Sequence, residues 1–220
     1  MSVKWADWTI VECTLNLLEE ANKNGPYSFY HLLSGQDLLI KPVNEINKYF
    51  DKNLSYNFVE INDGKWAYKN IAERKYHKLF TPYSSFRVFR WIQKAIKKIL
   101  VISFSTICKY TPYRRGSEWW DINQNLVTLI IDDKRWIKNK FSNFYCADEA
   151  FIQTIVAKHN LENNNKGLMH LADWNRSENG HPYTFRIDDY DMIMKSECFF
   201  ARKFDCNMDG DIIDKICENV

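Results

Sequence analysis

Glycine and proline are scarce in this sequence, and no stretch of the chain is rich in them. There are 7 Gly and 5 Pro among 220 residues, too few and too dispersed to mark a flexible linker between separate domains. Because 45% of the residues are hydrophobic, the chain has enough apolar material for a substantial core. The sequence therefore predicts one domain over residues 1–220, without internal repeats.

Paired cysteines, excess charge and long hydrophobic runs are also missing. The six cysteines form no CxxC pair and no zinc-ligand spacing, which argues against a metal bound through sulfur. A net charge of +2 argues against a nucleic-acid partner, which requires a concentrated basic stripe. The beginning, MSVKWADW, resembles neither a signal peptide nor a spanning segment, so we expect a cytoplasmic chain with reduced cysteines.

Helix-like and strand-like segments alternate along the first third of the chain. Apolar spacing predicts helices over residues 9–21 and 43–50, and short apolar or aromatic runs predict strands over residues 27–33 and 57–61. A polar helix that ends near Lys75 follows. This alternation is typical of an α/β fold that binds ligands beyond the carboxyl ends of its strands.

A basic amphipathic insertion is predicted over residues 86–107. One face of its helix is apolar and consists of Phe86, Phe89, Ile92, Ile96 and Ile99. The other face is basic and consists of Arg87, Arg90, Lys94, Lys97 and Lys98. The pattern fits a surface helix whose apolar face packs on the core, and it also fits a helix that lies on an anionic membrane. The apolar residues that follow are too few to span a bilayer, which needs about 20.

Four blocks of sequence carry a resemblance to a known enzyme family. They are YHLLSGQDLLIKP (residues 30–42), GSEWW (116–120), ADEAFIQT (147–154) and the stretch from DWNRSENGHP to FFARKFD (173–205). Together, and in this order, they resemble the core-2/I-branching β-1,6-N-acetylglucosaminyltransferases of glycosyltransferase family 14, which also include peptide O-xylosyltransferases. The resemblance implies an α/β fold with a GT-A-like nucleotide-sugar transferase sheet and flanking helices.

The resemblance has departures. Leu39 stands where the family usually has proline, and Ala6 where glycine follows the tryptophan. Family members also carry at least one more strand-helix-strand unit, of about 30 residues, before the block VKWADWTIVECTL, so the fold is expected to be N-terminally incomplete. In the related fold that unit holds the uracil and ribose. A truncated, catalytically inactive member that binds saccharide or a partner protein is therefore a second hypothesis.

The ADEAFIQT block implies the catalytic base. Asp148 is placed to cap a helix and Glu149 to occupy its first turn, where the helix dipole favours a carboxylate. Without the family, this pair is best interpreted as ordinary capping chemistry. Family members place the catalytic glutamate second in the pair, so the resemblance implies that Glu149 is the general base of a single inverting displacement.

The leaving diphosphate needs positive charge, which either a metal or basic side chains can supply. The resemblance implies a metal-independent reaction without a cofactor, in which Arg186 and Lys203 bind the diphosphate. Two Asp-x-Asp pairs, at residues 189–191 and 209–211, are the alternative as metal ligands. The second pair is better interpreted as a turn that caps the final helix, because the calcium-loop pattern around it lacks its last acidic ligand.

Further residues are implied on the sugar-binding sides. Glu60 and Arg74 match positions that hold acceptor hydroxyls, and Trp174 either offers a flat face to a pyranose ring or belongs to the core. Trp5 and Asp37 match the donor side.

Two glycines and two histidines are predicted to have structural roles. Gly35 and Gly116 are predicted to permit turns or close backbone approach. His31 and His170 are predicted to be structural, because neither has a serine or cysteine nearby in a triad-like arrangement.

We therefore expect an inverting glycosyltransferase that moves N-acetylglucosamine or xylose from UDP-N-acetylglucosamine or UDP-xylose to a saccharide acceptor. The richness in Lys, Ile and Asn favours a bacterial, cytoplasmic enzyme with peripheral contact to the inner membrane. Family members in animal cells are instead anchored in the Golgi membrane.

Overall fold

The computed structural model describes residues 1–62, 64–77, 87–108, 110–177 and 179–220. The helices in these ranges are α1 (Trp8–Lys23), α2 (Val43–Asp51), α3 (Gly64–Lys75), α4 (Arg87–Cys108), α5 (Gln124–Asp132), α6 (Lys134–Phe141), α7 (Phe151–Lys158), α8 (Tyr190–Lys195) and α9 (Gly210–Cys217). The strands are β1 (Phe29–His31), β2 (Asp37–Leu39), β3 (Asn57–Val59), β4 (Trp120–Asn123), β5 (Asn165–Lys166), β6 (His170–Ala172) and β7 (Phe200–Arg202). Helices and strands are mixed along the chain, which confirms the α/β class.

Local sequence explains where the first helices lie. Asp7 caps α1 by accepting a hydrogen bond from the backbone N–H of Thr9 at 3.2 Å. The buried residues Val11, Leu15 and Leu18 recur every three or four positions and form the inner face of α1. Helices α1 and α2 confirm the prediction from apolar spacing, and α3 confirms the polar helix that was expected to end near Lys75. Strands β1 and β3 are shorter than the apolar runs that contain them.

The strands form two sheets. One has the strand order β1-β4-β3-β5, and its β1 and β4 are antiparallel with Tyr30 opposite Ile122. The other has the order β2-β7-β6, in which β7 is antiparallel to β2 and parallel to β6. Both parallel and antiparallel pairs thus occur, and the GT-A-like arrangement itself stays a prediction.

The chain forms two compact units, and each unit is built from several segments. Unit 1 consists of residues 1–27, 59–118 and 124–165, and unit 2 consists of residues 28–58, 119–123 and 166–220. Because the chain passes between the units repeatedly, their borders carry no linker composition. The sequence predicted one domain, because no linker-like stretch in it marks a division into these two units.

Each unit has its own apolar core. In unit 1, helices α1, α6 and α7 pack against α5 and bury residues such as Leu15, Ile130 and Ile155. In unit 2, one cluster surrounds Phe185 and another surrounds Phe58. These clusters remove most of the large apolar side chains of the two units from water, which is the main favourable contribution to folding.

Helix α4 corrects one prediction about packing. The side chains of Ile92, Ile96 and Ile99 are exposed, whereas Val101 and Cys108 are buried. The expectation that the apolar face packs on the core is therefore wrong for these residues, because α4 packs against α3 through a different face. Phe86 and the side chains of Arg87 and Phe89 lie outside the described part of the chain. In the ranges that are described, no helix combines the length and the apolarity needed to cross a membrane.

His31 and His170 are structural, as predicted. Their ring nitrogens lie 2.7 Å and 3.1 Å from the same oxygen, Oδ1 of the buried Asp121. Burial by itself raises the pKa of Asp121, but the hydrogen bonds from His170 and His31 outweigh it and hold the pKa below its ordinary value. All six cysteines are free thiols.

Candidate active site

Glu149 lies in a 3₁₀ turn that precedes α7. The turn spans Ala147–Glu149 between Cys146, whose φ of 49° is left-handed, and Ala150, whose φ is −140°. Neither flanking conformation continues an α-helix. The prediction that Asp148 caps the helix is wrong, because α7 has no side-chain cap. The same break places Glu149 before the first turn of α7 and not within it.

Two arginines hold the side chain of Glu149. Its Oε2 atom lies 2.7 Å from Nη2 of Arg74 and 2.7 Å from Nη2 of Arg115. Both guanidinium groups are largely buried, whereas 31% of the Glu149 side chain is exposed. Both ion pairs fall on Oε2, and no residue in the described ranges donates a hydrogen bond to Oε1. The arrangement therefore leaves one carboxylate oxygen available to a ligand.

Arg74 is fixed by the backbone around the 3₁₀ turn. It lies in the last turn of α3, and its Nη1 donates a hydrogen bond to the carbonyl oxygen of Cys146 at 3.0 Å. The backbone N–H of Tyr145 in turn donates to the carbonyl oxygen of Arg74 at 3.2 Å. One guanidinium thus binds both the backbone before the turn and the carboxylate at its end, which orients Glu149.

Gly116 brings the segments of Glu60 and Glu149 together. Its backbone N–H donates to the carbonyl oxygen of Glu149 at 3.0 Å. A Cβ atom at position 116 would lie 1.8 Å from the carbonyl oxygen of Glu60, a distance that no side chain tolerates. The prediction of close backbone approach is confirmed for Gly116. Gly35 lies in a turn, as predicted, closed by a hydrogen bond from the N–H of Asp37 to the carbonyl oxygen of Ser34. Close approach is wrong there, because an added Cβ would meet nothing within 4 Å.

Glu60 is placed beside this contact by a short backbone pairing. The N–H of Asn62 donates to the carbonyl oxygen of Arg115 at 2.7 Å, and the Asn62 side chain donates to Oε1 of Glu60 at 3.2 Å. Glu60, Arg74, Arg115 and Glu149 are called the Glu149 cluster below. All four residues belong to unit 1.

Two residues near Glu149 were not predicted from the sequence: Arg115, which binds Glu149, and Trp66, which contacts Arg115. The guanidinium carbon of Arg115 lies 4.8 Å from the centre of the exposed Trp66 ring, which is a cation–π distance. A signal for Arg115 exists, because it directly precedes Gly116 in the GSEWW block. No comparable pattern marks Trp66, whose position becomes meaningful only through the packing of α3.

Asp148, the other acid of the pair, has a different environment. Burial raises its pKa to about 7, and the nearby carboxylates of Glu118 and Glu149 act in the same direction. Its Oδ1 atom is buried and has no hydrogen-bond partner in the described parts of the chain. Adjacent carboxyl groups in environments this different can take different roles, and only Glu149 combines ion pairing with an exposed surface.

Arg186 and Lys203 line one cavity in unit 2. The backbone N–H of Phe185 donates to the carbonyl oxygen of Lys203 at 2.9 Å, which places the two segments side by side. The cavity has a volume of about 210 Å³, and its lining includes His181 and Tyr183. Nη1 of Arg186 donates to the carbonyl oxygen of Met208 at 2.8 Å. The predicted cationic pair is therefore brought together by the fold of unit 2.

Asp37 is used inside unit 2. Its side chain is 1% exposed and lies 3.2 Å from Nε of Arg202. Its other oxygen accepts a hydrogen bond from the backbone N–H of Ser34 at 2.6 Å. A contact with a donor hydroxyl stays a prediction for Asp37, and the burial of this carboxylate does not support it.

The two tryptophans predicted to contact sugars are exposed. Trp174, in unit 2, has 59% of its surface accessible, so the alternative that it belongs to the core is wrong. Trp5, in unit 1, lies edge-on to Tyr145 with ring centres 6.2 Å apart and keeps most of its surface open. Exposed indole faces are suited to the apolar face of a pyranose ring.

The first aspartate of each Asp-x-Asp pair accepts hydrogen bonds within the protein. Asp189 accepts from the N–H of Arg186 and from the guanidinium of Arg176. Asp209 accepts from the N–H of Ile212 and caps α9, as predicted. Among the residues that the structure describes, no group of three or more His, Cys, Asp or Glu side chains is arranged to hold a metal ion. Independence of a metal stays a prediction.

Comparison with known proteins adds family information to this geometry. Residues 1–195 match the family model described as "Core-2/I-Branching enzyme". Over 107 residues the chain is also 25% identical to a beta-glucuronosyltransferase, GlcAT14B, of Arabidopsis thaliana. That match covers 46% of this chain and 24% of the relative, so the chain corresponds to a minor part of the length of that protein.

Proposed function

We propose, since the chain belongs to the core-2/I-branching enzyme family of glycosyltransferases, that it moves a sugar from a nucleotide-sugar donor to a saccharide acceptor, with Glu149 as the base. The observation that carries this proposal is the Glu149 cluster, a partly exposed carboxylate with two guanidinium groups on a single oxygen. The resemblance to the family is confirmed, and the matched residues 1–195 include the first three blocks and the beginning of the fourth, but not FFARKFD (199–205), which contains Lys203. The proposed donor is UDP-N-acetylglucosamine or UDP-xylose.

The proposed reaction is one inverting displacement. Oε1 of Glu149 takes the proton of an acceptor hydroxyl while that oxygen attacks the anomeric carbon of the donor sugar. The bond from this carbon to the diphosphate breaks, and the electron pair leaves with UDP. Arg74 and Arg115 keep the carboxylate in one orientation, because both bind Oε2 and neither competes for Oε1. Glu60 and the exposed rings of Trp5 and Trp174 are the proposed contacts for the sugars.

Arg186 and Lys203 are proposed to stabilise the leaving diphosphate. Both line the same cavity, and neither forms an ion pair with a carboxylate within the described ranges. Two cations that are not held in salt bridges are well suited to a diphosphate, whose charge grows as the bond to the sugar breaks. On this basis we propose a metal-independent reaction.

A donor panel tests the proposed function. The purified chain is incubated with UDP-N-acetylglucosamine, UDP-xylose or UDP-glucuronic acid, with and without a saccharide acceptor, and released UDP is measured. UDP-glucuronic acid is included because the plant relative is named as a glucuronosyltransferase. We expect turnover with one of the first two donors, and turnover with glucuronate alone would change the donor assignment.

Excess chelator in the same assay separates the two ways of binding diphosphate. Activity that survives the chelator supports Arg186 and Lys203, whereas complete loss would require a metal. Saccharide binding without any release of UDP would instead favour the catalytically inactive alternative.

A further inference from the structure

The exposed face of α4 has no explanation in glycosyl transfer. Five large apolar side chains of this helix are exposed to solvent: Trp91, Ile92, Ile96, Ile99 and Ile102. Trp91 is 76% exposed and Ile99 is 64% exposed. At 100° per residue these five positions follow one stripe along the helix. A contiguous apolar surface of this kind marks an interaction site rather than scattered exposure.

Basic residues flank the apolar stripe. The sequence of α4 contains five arginines and lysines and no acidic residue. Lys94, Lys97 and Lys98 line a groove of about 410 Å³ together with Lys69 and Glu73 of α3. Glu73 lies 3.9 Å from Lys69, so the charge of this groove is positive overall. An apolar stripe beside a cationic groove calls for a partner that is both apolar and anionic.

We propose that α4 docks on an anionic lipid bilayer, with its apolar stripe in the interface and its lysines against lipid phosphates. Helices of this kind lie in the plane of the interface, and lysine stems extend along apolar surface while their ammonium groups reach the headgroups. Trp91 belongs to the residue type that favours the boundary between headgroups and acyl chains. Helix α4 has 22 residues but carries five basic side chains and is not apolar enough to span, so the proposal places it in the plane of the interface.

A second copy of the same chain is a poorer occupant. Pairing two α4 helices would bring their cations together with no acidic residue on either helix, and like charges at such distances repel each other. A bilayer with anionic headgroups supplies the complementary charge and the apolar phase at once. Charge therefore favours lipid over self-association.

Vesicle co-sedimentation tests this proposal without reference to enzymatic activity. The full chain is mixed with vesicles of phosphatidylcholine alone or of equal parts phosphatidylcholine and phosphatidylglycerol. We expect binding to the anionic vesicles to be roughly tenfold or more stronger, and to weaken as salt is raised.

Two variants examine the two parts of the surface. The double variant Ile96→Asp with Ile99→Asp interrupts the apolar stripe. The double variant Lys94→Gln with Lys98→Gln removes two positive charges. Each double variant is expected to reduce binding to anionic vesicles roughly tenfold or more. The matched controls are Leu17→Asn, an exposed apolar residue of α1, and Lys48→Gln with Lys52→Gln, exposed lysines at α2. Melting temperatures verify that all variants fold.

Three results would overturn the proposal. One is equal binding to both vesicle types, and another is equal loss of binding in the control variants. The third is a dimer in solution that Ile96→Asp with Ile99→Asp dissociates while vesicles remain unbound, which would assign the stripe to a second copy of the chain.

Discussion

The Glu149 cluster and the cavity of Arg186 and Lys203 use charge in opposite ways. Glu149 already has two cationic partners at 2.7 Å, so its geometry exists before any ligand arrives. Arg186 donates to a backbone carbonyl and its charge helps to lower the pKa of Asp209, but in the described ranges neither Arg186 nor Lys203 forms a salt bridge with a carboxylate. Preorganisation suits a group that must be oriented for a proton transfer, whereas charge that is not held in a salt bridge suits a group that must bind an anion.

The largest effect is expected at the preorganised carboxylate. Glu149→Gln keeps the shape of the side chain but cannot take a proton, so kcat should fall by about two to four orders of magnitude. Steady-state release of UDP in the presence of acceptor measures the change. Glu162→Gln is the matched control, because Glu162 also pairs with an arginine, Arg114 at 3.1 Å, outside the cluster. Normal turnover of Glu149→Gln in a folded protein would refute the assignment of the base.

A smaller effect, on binding, is expected at the two cations. Arg186→Ala or Lys203→Ala should weaken UDP binding by about tenfold to a hundredfold, because each removes a charge-assisted contact to phosphate. Calorimetry with UDP and with uridine measures it, and uridine binding should change little. Lys195→Ala, an exposed lysine of α8 in the same unit, is the control. If UDP affinity is unchanged in both variants, the cavity does not bind the diphosphate.

The backbone contact that joins the segments of Glu60 and Glu149 can be broken without changing any charge. Gly116→Ala places a methyl group 1.8 Å from the carbonyl oxygen of Glu60. Because one of the two must move, the free energy of unfolding should fall by about 1–3 kcal/mol. Denaturant unfolding measures the loss, and turnover should fall with it because the cluster shifts. Gly167→Ala, where an added Cβ meets nothing within 4 Å, should leave both unchanged. Equal stability of the two variants would contradict the close approach.

The smallest effect concerns the acid beside Glu149. The pKa of Asp148 is raised from 3.8 to about 7, so the folded protein binds this proton more tightly than the unfolded chain. The stability that this provides is present at low pH and is lost as pH rises through that range. Asp148→Asn should therefore show less decline in melting temperature between mildly acidic and neutral pH than the wild type.

Asp133 provides a control of opposite sign. Burial raises its pKa, but hydrogen bonds from Lys158 and His159 outweigh this and lower the pKa overall. Its contribution is present above the ordinary pKa of aspartate and is lost as pH falls through the lowered value. Asp133→Asn should alter only the acid limb of the profile. If Asp148→Asn leaves the neutral limb unchanged, the environment of Asp148 has been misassigned.

Several features of this protein were readable from the sequence because they depend on local chemistry. Helices α1 and α2 follow from apolar spacing, and α3 from the polar stretch that follows the turn at residues 62–64. The family follows from blocks of contiguous residues that keep their order. The close approach at Gly116 was readable because a glycine within such a block suggests a position with no room for a side chain.

Only the tertiary structure decided which distant groups meet and which face of an element is covered. Arg115 binds Glu149 from 34 positions away. The buried Asp37 pairs with Arg202, and the sequence does not predict this pair either. Asp148 failed as a helix cap because its neighbours leave helical geometry. The apolar face of α4 is open because α3 packs against another side of that helix. Periodicity defines the faces of a helix, but the neighbours that fold against it determine which face meets water.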